Sequence, residues 1–414
     1  MSVWYRYVVR LGLEGPGGAG GGGQLRKVWD GRKQERNRDD IKMAQRGRRS
    51  ELFSSNPQNG AARGDCHKSM RVTVHDYSFF ALGEGEATTY LIVYVDDIII
   101  AAPKHEMVDN VKHKLQSIFK LKILGDLKFF LGLELSLSKD GITLSQRKYT
   151  LSLLEETGFL GCKPANTPMD ANMKLRLDEG DHIPDASSYR RLIGRLKYLT
   201  ISRPDITFAV VKLAQYMENP RTPHLEAVHH VLRYLKAAPT QGLLFSSKSK
   251  FHLSMYTDAD WGSCLDTRRS TTGYCTFLGD SLVSWKSKKQ DVVSRSSTET
   301  EYRALANVAC EVLSIISLLK FMHVEVNSAM IFCDNVSAIQ TATNPTLHER
   351  SKHIEIDCHF VREKVAAGIV KLVHVPSKHQ LADLLTNLSQ HLSSNFLWPS
   401  SEHTTCMLQL EEGY

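Results

Sequence analysis

The sequence lacks the features that mark a disulfide-rich, zinc-binding or membrane-spanning protein. Its eight cysteines contain no Cys-x-x-Cys pair, and Cys358-His359 has no zinc-finger spacing, so we expect the thiols to be reduced. No run reaches the roughly 18 apolar residues that a membrane helix requires. Arg6 and Arg10 interrupt the apolar residues at the start, which argues against a signal peptide. We therefore expect a cytoplasmic or nuclear protein that is not secreted and has no membrane partner.

A net positive charge is absent outside the amino-terminal arm. The chain of 414 residues, long enough for two or three domains, has a formal charge of +7. Residues 1–71 hold 15 Lys and Arg against 7 Asp and Glu, whereas the remainder holds 37 against 38. Nucleic-acid binding by the remainder must therefore rest on local basic patches. The glycine-rich stretch Gly15–Gly23 and the polar stretch Arg26–Arg49 predict that residues 1–71 form a disordered arm, with a solvated arm favoured over one that binds nucleic acid.

Asp258 directly follows a strand-like run, Leu253–Thr257. Leu253 and Met255 share one face of a period-two pattern, and Gly262 can turn the backbone shortly after the acid. By itself, such an aspartate is more often a residue that opens a turn or caps a helix. The rest of the chain has to decide between the two interpretations.

Three further acids stand where elements meet. Glu301 opens a helical pattern that runs to about Lys320, Asp334 follows the apolar run Ala329–Cys333, and Asp383 lies near the start of the short helical pattern Gln380–Leu388. Each acid also has a purely structural interpretation. Glu301 has capping-box spacing from Thr298, Asp334 could cap the next helix, and Asp383 could offset a helix dipole.

The order of elements favours a shared site for the four acids. Three strand-like runs, Leu253–Thr257, Gly273–Leu278 and Leu282–Trp285, precede an alternation of helices and strands that includes Ile369–Val375. This order predicts a mixed α/β fold, a mixed sheet with helices on both faces. Carboxylates brought together at one edge repel each other by several kcal/mol at an effective dielectric of about 20, so they require divalent cations. Two metals about 4 Å apart would activate a water and stabilise the leaving oxygen of a phosphodiester.

Seven short motifs follow one another through this region and together resemble the ribonuclease H domain of copia-type LTR retrotransposon Pol polyproteins. They are Tyr256–Trp261, Arg269–Tyr274, Ser284–Gln290, Ser297–Tyr302, Cys333–Asn335, Lys352–Ile354 and Leu381–Asp383. The resemblance implies that Mg²⁺, with Mn²⁺ as a possible substitute, is bound by Asp258, Glu301, Asp334 and Asp383. Glu299 is the alternative ligand. We prefer Glu301, because the residues directly after Glu301 match the family's pattern.

Five basic residues cluster in the turns around the second and third strands: Arg268, Arg269, Lys286, Lys288 and Lys289. We expect them to contact phosphates, and neighbouring hydroxyls to contact ribose. An RNA/DNA hybrid would be distinguished from duplex DNA by its 2′-hydroxyls and groove shape, so little sequence preference is expected.

A second acidic motif lies earlier in the chain. The segment Tyr90–Ala102 consists of two apolar runs separated by Asp96-Asp97. This pattern predicts a hairpin with both acids at its tip. Bare carboxylates buried between strands would cost several kcal/mol, and the alternative is an ordinary turn with both side chains in water. Leu91–Ile98 resembles the catalytic hairpin of reverse transcriptases. Its flanking motifs follow the copia order: Asp76–Phe80, Leu124–Leu127, Phe130–Glu134 and Leu144–Tyr149.

The resemblance implies that Asp96 and Asp97 would be catalytic together with a third aspartate on an earlier palm strand. Nothing in residues 1–75 resembles that strand or the fingers region before it. We therefore expect the polymerase half to be incomplete and the two acids to be a remnant pair. Three helices, Ser187–Ile201, Asp205–Met217 and Pro223–Ala237, are predicted to connect this half to the nuclease.

These inferences predict five segments. They are a disordered arm (1–71), a truncated reverse-transcriptase palm (72–162), a helical thumb and connection (163–248), a ribonuclease H-like domain (249–390) and a tail (391–414). The expected activity is Mg²⁺-dependent hydrolysis of RNA in an RNA/DNA hybrid. The alternatives are an inert remnant that only binds nucleic acid or protein, and an RNA-directed DNA polymerase completed by another retrotransposon Pol segment.

Overall fold

Two compact units make up the chain, one from residues 1–130 with 317–325 and one from 131–316 with 326–414. The computed structural model describes residues 5–11, 70–73, 76–170, 172–344 and 355–387. The expected tail, 391–414, lies outside this range. Within it, the fold is mixed α/β, as predicted.

The first unit is built on a six-stranded antiparallel sheet. Its spatial order is β2-β3-β4-β5-β1-β6. One helix packs on the sheet through Val108 and Leu115, which share a core with Leu91 and Ile98. The elements are β1 (Tyr5–Leu11), β2 (Met70–Val72), β3 (Phe79–Leu82), a 3₁₀ turn (Gly85–Ala87), β4 (Thr89–Tyr94), β5 (Asp97–Ala102), α1 (His105–Ile118), β6 (Leu121–Asp126) and β7 (Phe129–Phe130).

The prediction that residues 1–71 are disordered is wrong at both ends of that arm. Residues 5–11 form β1 in the interior of the sheet, and Met70 begins β2. The sequence Tyr-Arg-Tyr-Val-Val-Arg-Leu is rich in aromatic and β-branched residues that favour strands, and Val8 and Val9 are buried. The glycine-rich stretch, on which the prediction rested, begins only after this strand. Residues 12–69 lie outside the described residues.

The second unit contains a helical bundle and a five-stranded mixed sheet. The bundle core includes Leu153, Leu196, Leu213 and Val231. Its elements are β8 (Leu133–Leu137), β9 (Gly141–Ser145), α2 (Arg147–Glu156), α3 (Ala186–Leu199), a 3₁₀ turn (Pro204–Ile206), α4 (Thr207–Ala214), α5 (Thr222–Ala237) and β10 (Leu243–Ser246).

The three connecting helices form where they were predicted, with differences at their ends. Helix α3 begins at Ala186 and is capped by Asp185, whose carboxylate accepts a hydrogen bond from the Ser187 N–H at 2.9 Å. Asp205 does not begin a regular helix and instead lies in a 3₁₀ turn, where its carboxylate is buried against Arg203. Pairing with a buried guanidinium takes precedence over capping because an unpaired buried charge is far more costly than an uncapped helix.

The mixed sheet has the order β13-β12-β11-β14-β15. The first three strands along the chain pair antiparallel, and the last two add in parallel, as the element order predicted. The elements are β11 (Leu253–Asp260), β12 (Thr271–Leu278), β13 (Ser281–Lys289), α6 (Ser297–Phe321), β14 (Ala329–Cys333), α7 (Val336–Thr343), α8 (Glu355–Ala366), β15 (Val370–His374) and 3₁₀ turns at Ser377–His379 and Leu381–Leu385.

Helix α6 packs on one face of this sheet. Tyr302, Leu305 and Val312 are buried in a core that includes Leu253 and Met255 of β11. By length and composition alone, α6 could also cross a membrane, a test that core helices of soluble proteins meet as well. On the other face of the sheet, Leu385 of the last 3₁₀ turn packs against Cys275 of β12.

Burial of β1 leads to a prediction about the first unit. Replacement of the fully buried Val9 with alanine should lower the free energy of unfolding by about 1.5–3 kcal/mol, from lost transfer energy and the cavity left behind. The exposed Ile118 at the end of α1 is the control, and Ile118→Ala should change stability by about 0.5 kcal/mol or less. Hydrogen exchange of the β4 and β5 amides measures the effect. Equal exchange in Val9→Ala and wild type would show that β1 does not support the sheet.

A buried ion pair leads to a prediction about the bundle. Arg203 Nη2 lies 2.7 Å from Asp205 Oδ2, both side chains are 1% exposed, and the Tyr234 hydroxyl donates to the same oxygen at 2.8 Å. Arg203→Met leaves a buried unpaired carboxylate and should cost about 3–5 kcal/mol. The matched control is Arg195→Met, which removes a pair with Glu156, whose side chain is 58% exposed, and should cost at most about 1 kcal/mol. Urea unfolding compares the two, and equal losses would contradict the role assigned to the buried pair.

Candidate metal centre

Asp258 and Asp334 lie side by side near the carboxyl ends of two adjacent parallel strands. Strands β11 and β14 pair with Tyr256 opposite Phe332, and each acid follows two residues later. Asp258 neither ends its strand nor opens a turn, because β11 continues to Asp260 and pairs Asp258 with Gly273 of β12. The parallel register therefore brings together two acids that are 76 positions apart in the sequence.

Glu301, the fifth residue of α6, enters this edge of the sheet from near the start of the helix. Its Oε1 accepts a hydrogen bond from the Ala259 N–H at 3.3 Å. The residue is 5% exposed, and its Oε2 has no hydrogen-bond partner among the described residues. A buried carboxylate oxygen without a partner is costly, so this oxygen is available to a ligand.

Glu299 and Glu301 lie in different surroundings. Glu299 accepts hydrogen bonds from the Arg295 N–H at 2.8 Å and from Arg303 Nη2 at 3.1 Å. Its own N–H donates to the Ser296 hydroxyl at 3.2 Å. The capping interactions of α6 therefore belong to Ser296 and Glu299 rather than to Thr298 and Glu301. Glu301, the preferred candidate, is the one that reaches the carboxylates.

The structural alternative for Asp334 does not hold. Asn335, not Asp334, caps α7, since its side chain accepts from the Ala338 N–H at 2.9 Å. Asp334 instead accepts a hydrogen bond from the Ser377 hydroxyl at 2.6 Å.

Asp383 lies on the 3₁₀ turn Leu381–Leu385, which replaces the longer helix predicted for Gln380–Leu388. The buried Gln380 ties this turn to β11, because its Nε2 donates to the Thr257 carbonyl at 2.9 Å and its Oε1 accepts from the Ala382 N–H at 3.2 Å. The sequence pattern did not identify Gln380 as part of the site.

Thr386 makes a second connection between the turn and the strand. Its hydroxyl donates to Asp258 Oδ2 and also approaches the Asp383 carbonyl at 3.3 Å. The approach requires a glycine at position 273, because a Cβ there would lie 2.6 Å from Thr386 Cγ2 and 2.8 Å from Leu385 Cβ. Thr386 thus positions Asp258, a role that no sequence signal indicated.

Burial and mutual repulsion perturb the acids. Burial, followed by the charges of Asp258 and Asp334, raises the pKa of Glu301 to about 10. The same causes in the same order raise the pKa of Asp383 to about 7. Burial and the Asp334 charge raise the pKa of Asp258, although the Thr386 hydrogen bond opposes them. The four carboxylates are therefore electrostatically coupled, and such a set favours a bound divalent cation.

Geometry brings ligand atoms of two of the four acids close to each other. One ligand atom each from Glu301, Asp334 and the neighbouring Cys333 lie within 4.8 Å of one another, whereas Asp258 and Asp383 are not part of this group. The carboxylates supply the oxygen ligands that Mg²⁺ prefers, and the unpartnered Oε2 of Glu301 is among the available oxygens.

The five candidate phosphate-binding residues do not share one surface. Arg268 and Arg269 are exposed in the turn after β11, and Lys286 and Lys288 are exposed on one face of the edge strand β13. Lys289 points to the opposite face, where its ammonium donates to Gln215 Oε1 and Cys264 Sγ, both at 2.9 Å. The structure therefore brings four of the five to the surface and places the fifth in contacts within the protein.

Asp96 and Asp97 belong to the first unit and to the predicted hairpin. Val95, with φ of 51°, and Asp96 form the two-residue turn between β4 and β5, and Tyr94 pairs with Asp97. Both acids are half-buried. On its other side, β5 pairs with β1, and the register sets Arg10 opposite Asp97.

The raised pKa of Glu301 leads to a pH-dependent prediction. An acid with a higher pKa in the folded state than in the unfolded state stabilises the folded protein fully at pH values below its unfolded pKa. This stabilisation is lost as pH rises towards the folded pKa. Glutamine at position 301 does not titrate, so Glu301→Gln does not lose stability in this way. In EDTA, the variant should therefore become more stable than wild type as pH rises from about 5 to 8, by at most about 1.4 kcal/mol per pH unit.

Urea unfolding at several pH values measures this difference. The control is Asp280→Asn, a change of an exposed acid in the β12–β13 turn, whose stability should follow the wild type. Addition of Mg²⁺ should stabilise wild type more than Glu301→Gln, since only a cation that binds the folded state stabilises it. If the difference in the free energy of unfolding between Glu301→Gln and wild type did not change with pH, the raised pKa of Glu301 would be contradicted.

Comparison with known proteins agrees with this architecture. The family model described as reverse transcriptase (RNA-dependent DNA polymerase) matches residues 67–171. The Pol polyprotein from transposon RE2 of Arabidopsis thaliana, described as retrovirus-related, is 42% identical over 326 residues, which cover 78% of this chain and 22% of that protein. The chain thus spans about a fifth of that relative's length.

Two further similarities complete the comparison. An uncharacterised mitochondrial protein of Arabidopsis thaliana is 42% identical over 222 residues, which cover 54% of this chain and 92% of that protein. The crystal structure of RNase H1 from Halobacterium salinarum aligns with 15% identity and a TM-score of 0.26, covering 33% of this chain and 94% of that one. On its sequence similarity, the chain belongs to the family of copia-type LTR retrotransposon Pol polyproteins.

Proposed function

We propose that residues 249–390 hydrolyse the RNA strand of an RNA/DNA hybrid in a reaction that depends on Mg²⁺ or Mn²⁺. The observation that carries the proposal is the coupled carboxylate cluster at the edge of the mixed sheet. Asp258, Glu301, Asp334 and Asp383 would hold the cations. With cations bound, the chemistry supplied is activation of a water and stabilisation of the leaving oxygen, which gives 3′-hydroxyl and 5′-phosphate ends.

The chain's own residues would position these carboxylates. Thr386 and Ser377 each donate a hydroxyl hydrogen bond to one acid, Asp258 and Asp334 respectively. Gln380 ties the turn that bears Asp383 to β11. Fixed geometry of this kind contributes to catalysis because the ligands need not reorganise when charge develops in the transition state.

Exposed basic residues would bind the nucleic-acid backbone. Arg268, Arg269, Lys286 and Lys288 are accessible to phosphates, and phosphate contacts position a nucleic acid without reading its sequence. Lys289 is a weaker candidate, because its ammonium already has two partners. The substrate class that fits is a hybrid recognised by its shape and 2′-hydroxyls.

We propose further that the polymerase half of this chain is inactive by itself. Asp96 and Asp97 lie at the tip of a hairpin whose neighbouring strand, β1, has the sequence Tyr-Arg-Tyr-Val-Val-Arg-Leu and contains no acid. A polymerase completed in trans by another Pol segment is the alternative. It would require a strand beside β5, a place that β1 occupies. Localisation in the cytoplasm or nucleus is part of the same proposal.

Cleavage of a labelled RNA/DNA hybrid tests the nuclease. Asp258→Asn should lower the rate about 100-fold or more, since loss of a ligand removes several kcal/mol of transition-state stabilisation. Asp280→Asn, an exposed acid at the opposite end of β12, is the control and should cleave at the wild-type rate. Fluorescence anisotropy measures hybrid binding separately. Binding by wild type without Mg²⁺-dependent cleavage would support the inert remnant instead.

Primer extension on a homopolymer template tests the polymerase half. We expect no extension by the full chain and no difference between wild type and Asp96→Asn, because the two acids lack a third acidic partner on β1. Extension by wild type that is lost in Asp96→Asn would overturn this part of the proposal.

A further inference from the structure

A thiol lies beside the carboxylates and has no role in the proposed hydrolysis. Cys333 ends β14, one residue before Asp334, and is fully buried. Its Sγ, one oxygen of Glu301 and one oxygen of Asp334 lie within 4.8 Å of one another. The Asn335 N–H approaches Sγ at 3.4 Å, so the sulfur is held in place at the rim of the cluster.

A second observation indicates that this corner can accept a ligand. Glu301 is 5% exposed, and its Oε2 has no hydrogen-bond partner among the described residues. An orphaned carboxylate oxygen next to a thiol is a mixed oxygen and sulfur donor set. Mg²⁺ binds oxygen, whereas thiolates select softer cations such as Zn²⁺.

The spacing is compatible with a tetrahedral ion after a small adjustment. Zn–S bonds of about 2.3 Å and Zn–O bonds of about 2.0–2.2 Å place the ligand atoms roughly 3.5 Å apart. The three ligand atoms, which lie within 4.8 Å of one another, would have to move together by about 1 Å. Three protein ligands would leave the fourth position to water.

We propose that Glu301, Cys333 and Asp334 form a site for a thiophilic divalent cation, Zn²⁺ or Cd²⁺, that competes with Mg²⁺. On binding, the Cys333 S–H bond breaks, its proton goes to solvent, and a metal–sulfur bond forms without oxidation or reduction. Two of the three ligands belong to the proposed nuclease centre. Occupation by the softer ion should therefore inhibit hydrolysis, a consequence that rests on the proposed function, whereas the binding itself does not.

Cadmium titration of the full-length, reduced, EDTA-treated protein tests the site directly. The thiolate-to-cadmium charge-transfer band in the ultraviolet reports sulfur coordination. Wild type should show a saturable band, and both Cys333→Ser and Cys333→Ala should lose it. Cd²⁺ binding at this site should weaken at least about ten-fold in both variants, because even the removal of a residue that only supports a metal ligand weakens metal binding by that factor. Cys310→Ser, at an exposed position on α6, is the control and should keep the band.

Competition separates this inference from the nuclease proposal. Excess Mg²⁺ should raise the Cd²⁺ concentration needed for the band, and Glu301→Gln should weaken the band without any loss of thiols. In hybrid cleavage, Zn²⁺ should inhibit wild type at concentrations that Cys333→Ser tolerates. If wild type shows the band but never cleaves, the nuclease proposal fails and the site stands. A band unchanged in both Cys333 variants, with circular dichroism as in wild type, would overturn the site.

Discussion

Repulsion among the buried Glu301 and the half-buried Asp258, Asp334 and Asp383 is the constraint on which the candidate site depends. The parallel pairing of β11 and β14 sets Asp258 beside Asp334, and α6 adds Glu301 to the same edge. Burial together with these charges raises the pKa values of Glu301 and Asp383. A fold gains no stability from such a cluster, and strongly perturbed acids that gather at one edge are typical of a functional site.

Neutral groups, rather than cations, hold these acids in the described part of the chain. The donors to Asp258, Glu301 and Asp334 are the Thr386 hydroxyl, the Ala259 N–H and the Ser377 hydroxyl. An arginine in their place would neutralise the cluster and remove the attraction for a metal ion. Hydroxyl and amide donors orient the carboxylates and leave their charge uncompensated, which is the arrangement that a cation site requires.

The first unit shows how a short segment can complete a sheet. Strand β1 lies between β5 and β6, and its buried Val9 shares the core of the β4–β5 hairpin. The register sets Arg10 opposite Asp97. The same pairing that satisfies the backbone of β5 therefore also brings a strand without acids to the side of the Asp96-Asp97 pair.

Local patterns in the sequence determined the secondary-structure elements. The alternation of apolar and polar residues, the turn residues and the helical periodicity each act within a few residues of the chain. They predicted Ala329–Cys333 as a strand and the hairpin that bears Asp96 and Asp97, and motif resemblance predicted the four acids. Long-range packing decided the rest. It showed that Glu299 caps a helix, that Lys289 lies within protein contacts, that Cys333 lies beside the acids and that residues 5–11 form an interior strand in which Val8 and Val9 are buried. Strand register and side-chain facing depend on partners distant in the sequence, so no local pattern contains them.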